Sequence, residues 1–98
     1  MTDQDIENEI QEKGLTAKRL TLDAINAAIQ GDFYIQPFGT QLTICILKME
    51  NGYMVTGESA CVSAENFDAE LGKKIARQNA IYKLWPLMGF HMAYDRHD

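Results

Sequence analysis

The stretch QLTICILKMENGYMVTGESACV, residues 41–62, decides the fold class, because two β-rich runs flank an Asn-Gly pair at positions 51 and 52. An Asn-Gly pair between apolar runs is a strong signal for a two-residue hairpin loop, since a type I′ turn needs positive φ at both positions. The predicted pairs are Met49 with Met54, Leu47 with Thr56, Cys45 with Glu58 and Leu42 with Cys61. This register places the two cysteines on opposite faces, which disfavours a disulfide between them.

The segment TGESACV inside this stretch raises the question of a nucleophile site. A catalytic serine requires a tight strand-to-helix turn and a base within reach. Ser59 lies inside a predicted strand, and the two histidines, His91 and His97, lie in or near the C-terminal segment. The chain also has no CxxC or HxxxH spacing, Walker loop or GxGxxG. We therefore expect no enzyme, no catalytic residue, no metal and no cofactor.

Helical patterns flank the hairpin on both sides. Downstream, Ser63 is a predicted N-cap for one long helix over 64–84 that Pro86 ends, followed by an apolar segment, LMGFHMAY, that packs back on the sheet. Upstream, Thr21 caps a helix over about 22–30 that Gly31 stops. The predicted buried stripe of the long helix comprises Phe67, Leu71, Ile75 or Ala76, Ala80 and Leu84.

The remaining segments are an acidic N-terminal helix and an aromatic loop. Residues 3–12 have isoleucines four apart, with Thr2 as a cap and Gly14 as a stop. Residues 31–40 contain proline and glycine and read as a connecting loop. Its aromatic residues are interpreted as covering the core, with ligand stacking as the alternative; they are Phe33, Tyr34 and Phe38.

Together these elements predict an α+β fold with a small antiparallel sheet built on the Asn-Gly hairpin. One long C-terminal helix packs against that sheet, with one or two short N-terminal helices. We expect a single domain over 1–98, with an acidic helix or arm at 1–20, a core at 21–90 and a mobile tail at 91–98. The 98 residues, 46% hydrophobic, suffice for one small core, and oligomerisation would bury more surface.

Charge and composition narrow the classes of partner. The net charge of −5 argues against a protein that coats DNA, which needs many cations to displace counterions from the phosphates. No segment approaches the roughly 20 apolar residues of a membrane span, and the acidic N-terminus is unlike a signal peptide. We therefore expect a cytoplasmic protein that contacts neither DNA nor membrane, with free, semi-buried thiols at Cys45 and Cys61.

Candidate ligand-binding residues lie mostly on the long helix. Lys73 and Arg77, four residues apart, are suited to gripping a phosphate or carboxylate, although a solvated face is the alternative. Glu58 either faces the core and pairs with one of these cations or lies exposed on its strand. Tyr82 and Trp85 would stack on a ring or form core or oligomer contacts. The candidate set is Glu58, Asn66, Lys73, Arg77, Tyr82, Lys83 and Trp85.

A resemblance to a known family rests on four pieces of the chain. They are the Asn-Gly turn with its apolar flanks, TGESACV, ENFDAE followed by GKKIAR, and KLWPL followed by glycine. In this order they resemble the gene-product-forty-nine family of small tailed-phage proteins, with the first twenty residues outside the match. The resemblance implies a phage or prophage origin and action inside a bacterial host, without implying an activity.

A more distant similarity concerns the strand–helix layout. It is similar to that of the anti-Thoeris sponge proteins, small α+β subunits that assemble into oligomers and sequester cyclic nucleotide signals. The first hypothesis is therefore a non-catalytic host-defence antagonist, a homo-oligomer in the host cytoplasm, that binds such a signal. The alternatives are an inhibitor that docks on a host defence protein through an acidic surface, and an accessory phage protein without a discrete ligand.

Overall fold

The computed structural model describes residues 3–12, 19–39 and 41–95. The helices are α1 (Asp3–Glu12), α2 (Leu22–Ala27) and α3 (Ala69–Asp95), and the strands are β1 (Ile29–Ile35), β2 (Leu42–Met49) and β3 (Met54–Ala60). Single 3₁₀ turns cover Pro37–Gly39 and Ala64–Asn66. The strands form one antiparallel sheet in the order β1-β2-β3, and α3 packs across β2 and β3. The predicted α+β class and its hairpin–helix layout are confirmed.

The hairpin between β2 and β3 forms where the sequence predicts it, but its register differs by one residue. Cys45 lies opposite Gly57 rather than Glu58, because the loop has three residues. The Met49 amide donates to the Tyr53 carbonyl at 2.7 Å, and the Gly52 amide donates to the Met49 carbonyl at 2.9 Å. Gly52 alone in this loop has positive φ, of 91°. This is a type I turn followed by a left-handed glycine.

Asn51 explains why the two-residue turn does not form. Its side-chain oxygen accepts a hydrogen bond from the Tyr53 amide at 2.9 Å, so the residue acts through its side chain instead of adopting positive φ. A shift of one residue exchanges the faces of a strand. Cys45 and Cys61 are both free, as expected, but Cys61 lies beyond the end of β3 and the predicted pairing with Leu42 is wrong.

The core lies between the sheet and α3. Alternate residues of β2 are buried, and α3 contributes a row spaced four apart: Gly72, Ala76, Ala80 and Leu84. The predicted stripe is confirmed for Ala80, for Leu84 and, of the alternatives Ile75 or Ala76, for Ala76. It is wrong for Leu71, which is exposed. The smallest side chains of α3 face the sheet, and this allows the helix to approach it closely.

The region between α2 and β2 differs most from the prediction. Helix α2 ends at Ala27, and residues predicted as a connecting loop instead form β1, which pairs with β2 across a bulge near Gly31. Pairing with β2 supplies the hydrogen bonds that outweigh the weak strand propensity of Gly31 and Asp32. The predicted cap is confirmed, because the Thr21 side chain accepts a hydrogen bond from the Ala24 amide at 3.0 Å.

Of the three aromatic residues in this region, Tyr34 packs against the core as expected, whereas Phe33 and Phe38 do not. Phe33 is 63% exposed on the face of the sheet opposite α3, and Phe38 is 99% exposed with a left-handed φ of 60°. Tyr34 points to the other side of β1 and is half-buried beside α3. Successive side chains of a strand point to opposite faces of the sheet, so two neighbouring aromatic residues are placed on different faces. A segment predicted to be a loop gives no reason to expect this.

Helix α3 begins later and ends later than predicted. Ser63 makes no side-chain cap bond, and the helix starts after Asp68, whose side chain accepts hydrogen bonds from the Glu70 and Leu71 amides. It continues through Pro86 to Asp95, so the apolar segment 87–94 extends the helix instead of folding back. The structure therefore gives 91–95, the first part of the predicted mobile tail, as helix. Residues 96–98 lie outside the described part.

The N-terminal helix α1 has the predicted bounds, Asp3–Glu12, with two acidic residues in its first turn. The Gln78 side chain donates to the Asp3 carboxylate at 3.4 Å and brings α1 to α3. Its predicted cap and stop, Thr2 and Gly14, lie outside the described residues. None of the described helices is long and apolar enough to span a membrane.

Candidate functional site

Two of the predicted site residues, Lys73 and Arg77 of α3, contact side chains of β1 and α2. The Lys73 ammonium lies 5.9 Å from the centroid of the Tyr34 ring. The Arg77 Nε lies 3.9 Å from the Asp32 carboxylate, and its Nη1 donates to the Asn26 side-chain oxygen at 3.2 Å. We call these five residues the Tyr34 cluster. Two cations, a ring, an amide and a carboxylate thus converge from α3, β1 and α2.

The backbone explains why these groups converge. Asp32 and Tyr34 are two apart on β1, so both side chains point to the side of the sheet that carries α3. Lys73 and Arg77 are four apart and lie on one face of α3. Because α3 lies over β2 and β3, it leaves the inner side of edge strand β1 partly open, and Asp32 stays exposed there.

Burial sets the protonation of the phenol and thiol in this region. The Tyr34 hydroxyl donates to Asp32 Oδ2 at 3.0 Å, and burial, with this hydrogen bond, raises the Tyr34 pKa well above its ordinary value of 10.0. Burial also raises the pKa of Cys45 above its ordinary value of 9.0, although the nearby Tyr34 hydroxyl acts in the opposite direction. At neutral pH the phenol is therefore a hydrogen-bond donor, and the Cys45 thiol is protonated and not a nucleophile.

Glu58 does not join the cluster. It is exposed opposite Ile44, and its Oε1 accepts a hydrogen bond from the Thr56 hydroxyl at 3.3 Å. Of the two alternatives for Glu58, the exposed position on its strand is confirmed, and pairing with Lys73 or Arg77 does not occur because its side chain lies on the face away from α3. Its backbone carbonyl instead accepts a hydrogen bond from the Asn79 side chain at 2.8 Å.

The other predicted site residues are dispersed. Tyr82 and Lys83 are exposed, and a rotation of about 100° per residue places both more than roughly 100° around α3 from Arg77. Trp85 is half-buried, and its indole Nε1 is buried without a partner among the described residues. Asn66 borders a small hollow of about 160 Å³ beside Cys61. The structure thus unites only Lys73 and Arg77 of the seven candidates.

Three members of the Tyr34 cluster were absent from the predicted site: Asn26, Asp32 and Tyr34. The segment that forms β1 was predicted to be a loop. A loop has no alternating faces, so the prediction did not show that the side chains of Asp32 and Tyr34 point to the same side. The i, i+2 spacing of these two polar-tipped residues was the available signal, and it carries meaning only once the segment is known to be a strand. Nothing local connects Asn26 to Arg77, which is 51 residues away.

A second concave feature lies at the hairpin end of the molecule. This hairpin groove, about 460 Å³ in volume, runs between the β2–β3 loop and the second half of α3. Its lining is mostly apolar and includes Met49, Tyr53, Leu84, Leu87, Met88 and His91. Among the described residues, no group of three or more His, Cys, Asp or Glu side chains is placed to hold a metal ion.

Comparison with known proteins identifies a family. A family model described as the phage protein (N4 Gp49/phage Sf6 gene 66) family matches residues 20–95, which include every residue of the Tyr34 cluster. No curated protein and no solved structure matches the chain. The match begins just before α2 and ends with α3, so it covers the sheet and the helix that packs on it and leaves out α1.

Proposed function

The chain belongs to the phage protein family of N4 Gp49 and Sf6 gene 66, and from that premise we propose that it is a non-catalytic host-defence antagonist that binds and sequesters a cyclic nucleotide-type immune signal. The Tyr34 cluster is the observation that supports this proposal. The other predicted site residues are dispersed, whereas the residues of this cluster lie together at one place on the molecule.

The chemistry of the cluster suits a nucleotide. Lys73 and Arg77 provide cations for phosphate oxygens, and a guanidinium can bind two such oxygens at once. The Asp32 carboxylate accepts hydrogen bonds from ribose hydroxyls, while the Asn26 amide can both donate to and accept from a base edge. Tyr34 offers a ring for base stacking and a phenol that remains protonated.

The existing contacts leave these groups open to a ligand. The Arg77–Asp32 pair is 3.9 Å long, with 33% of the Arg77 side chain and 46% of the Asp32 side chain exposed. Exposed pairs of this kind contribute on the order of 1 kcal/mol or less, so a phosphate would displace Asp32 at small cost. The cluster would allow a chain whose net charge is −5 to bind an anion, because two of its nine lysines and arginines are concentrated there.

Thermal shift and calorimetry with a panel of cyclic mononucleotides, cyclic dinucleotides and cyclic ADP-ribose isomers test this proposal. A ligand that binds only the folded state raises the melting temperature. We expect at least one member to do so, and Lys73→Gln or Arg77→Gln to weaken its binding by about 10-fold or more. Lys83→Gln, an equivalent change elsewhere on α3, should leave binding intact. No shift with any member, or equal loss with Lys83→Gln, would contradict the proposal.

A second candidate is an inhibitor that binds a host defence protein, and the open face of the sheet favours it. Phe33, Ile35 and Met54 are exposed on the side away from α3, together with the half-buried Ile44 and Ile46. Contiguous exposed apolar surface of this kind is typical of protein interaction sites. A host-lysate pulldown should then yield one stoichiometric partner that Phe33→Lys abolishes and Phe38→Lys retains. Background proteins alone would argue against this candidate.

A further inference from the structure

The C-terminal part of α3 extends past the sheet. The helix has 27 residues, roughly 40 Å at 1.5 Å per residue, whereas β2 is about 27 Å long. The last buried residue of α3 is Leu84, which packs near the hairpin loop. We call residues 85–95, which follow it, the α3 arm.

The arm carries an apolar stripe that no described residue covers. Leu87, Phe90 and Tyr94 are all exposed, the last two by 74% and 73%. The Phe90 and Tyr94 rings are stacked with their centroids 6.4 Å apart, so they present one continuous surface. Spacings of three and four residues are those of the seam between two packed helices.

We propose that the α3 arm pairs with the arm of a second copy of this chain, in antiparallel order about a two-fold axis near Phe90. Each arm would place an aromatic side chain of its stripe into the hairpin groove of the other copy. At about 460 Å³ the groove is within the size range of pockets that hold ring-containing ligands, and its Met and Leu lining suits an aromatic ring.

Among the described residues, no other element covers Phe90 or Tyr94, so this surface is open to a partner. A second copy offers an equal stripe, and a two-fold axis makes such a surface self-complementary.

Charge selects the antiparallel order. Lys83 lies just before the stripe and Asp95 just after it, both exposed. An antiparallel pair centred near Phe90 brings Lys83 of each copy within about one turn of Asp95 of the other. A parallel pair would instead place like charges side by side and align the helix dipoles unfavourably.

Sedimentation equilibrium of the full chain over a concentration series measures the proposed contact. We expect a dimer, and we expect Phe90→Ser or Tyr94→Ser to raise its dissociation constant by about 100-fold, since buried aromatics dominate such interfaces. Phe38→Ser, at a residue 99% exposed far along the chain from the arm, is the matched control and should leave the dimer intact. Circular dichroism of each variant verifies that it folds.

A charge exchange tests the order of the helices. Lys83→Asp and Asp95→Lys should each weaken the dimer by several-fold, and the double variant should restore it. A wild-type chain that stays monomeric, or a dimer unaffected by Phe90→Ser, overturns the proposal. A dimer that the double variant fails to restore overturns the antiparallel order. None of these variants touches the Tyr34 cluster, so this proposal and the nucleotide proposal fail independently.

Discussion

Gly57 shows how one residue sets the spacing between two elements. A Cβ built on this glycine would overlap the Ala76 carbonyl oxygen and the Ala80 amide nitrogen, and it would lie 2.8 Å from the Ala80 Cα. These atoms belong to the backbone of α3 and cannot rotate away. Glycine at 57 and alanine at 76 and 80 therefore allow β3 and α3 to pack backbone to backbone.

We predict that Gly57→Ala lowers the free energy of unfolding by at least about 3 kcal/mol, because the new methyl group must displace α3 from the sheet. Urea unfolding followed by circular dichroism measures this loss. Gly31→Ala is the matched control on β1, where a Cβ would meet nothing within 4 Å. Its expected effect is under about 1 kcal/mol. Equal effects of the two substitutions would contradict the close approach at Gly57.

Helix α3 is the element that connects the core, the candidate site and the proposed interface. Its first half contributes the buried row from Gly72 to Leu84, and Lys73 and Arg77 lie beside that row. Its second half is the arm. Pro86 is the second residue of the arm, where it removes the amide that would bond to the Tyr82 carbonyl. The ring is exposed, so it displaces no core residue.

We predict that Pro86→Ala increases the helical signal at 222 nm and the free energy of unfolding, the latter by about 1–3 kcal/mol, because it restores a backbone hydrogen bond in the helix interior. Gly89→Ala, three residues further along the arm and with open space around its Cβ, should gain only about 1 kcal/mol. A loss of helicity in Pro86→Ala would show that the proline is needed where it stands.

At the scale of the whole molecule, one sheet presents two unlike faces. The inner face meets α3 and holds the buried residues of β2, including Cys45. The outer face has no described helix against it and remains partly apolar. The inner face buries the Cys45 thiol and part of Tyr34, which titrate only at high pH. The free energy of unfolding should therefore depend on pH in that range.

We predict that the free energy of unfolding falls as pH rises above about 9. The folded state raises the pKa of Cys45 above 9.0 and of Tyr34 above 10.0, so it holds these protons after the unfolded chain has released them. The contribution of both groups is complete below pH 9 and is lost progressively above it. Urea midpoints at pH 7, 9 and 10, under reducing conditions, provide the measurement.

Tyr34→Phe is the control for this pH dependence, because it removes the phenol and keeps the ring. The decline in the urea midpoint between pH 9 and 10 should be shallower in this variant than in the wild type. A wild-type midpoint that is unchanged from pH 7 to pH 10 would contradict the assigned burial of both groups.

The candidate site was predictable only in part. Lys73 and Arg77 were identified because their spacing of four is a local property of a helix. Glu58 was considered as their partner only if it faced the core, and its face was left open, because a strand position changes face with each residue. Asp32 and Tyr34 could be assigned to the site only if β1 was recognised as a strand. The chain forms that strand only by pairing it with β2.

The sequence by itself determined the features that depend on a few adjacent residues. These are the α+β class, the bounds of α1, the cap at Thr21 and the position of the hairpin at Asn51-Gly52. Each depends on caps, turn residues or a repeated apolar spacing, whose free energies are set within one or two turns of chain.

The tertiary structure alone decided the identity of β1, the hairpin register, the course of α3 through Pro86 and the assembly of the Tyr34 cluster. In each case a weak local preference is overruled by contacts with distant parts of the chain. Strand β1 obtains its hydrogen bonds from β2, and Arg77 meets Asn26 across 51 residues. Such contacts form only when the whole core closes, because they offset chain entropy together and not one at a time.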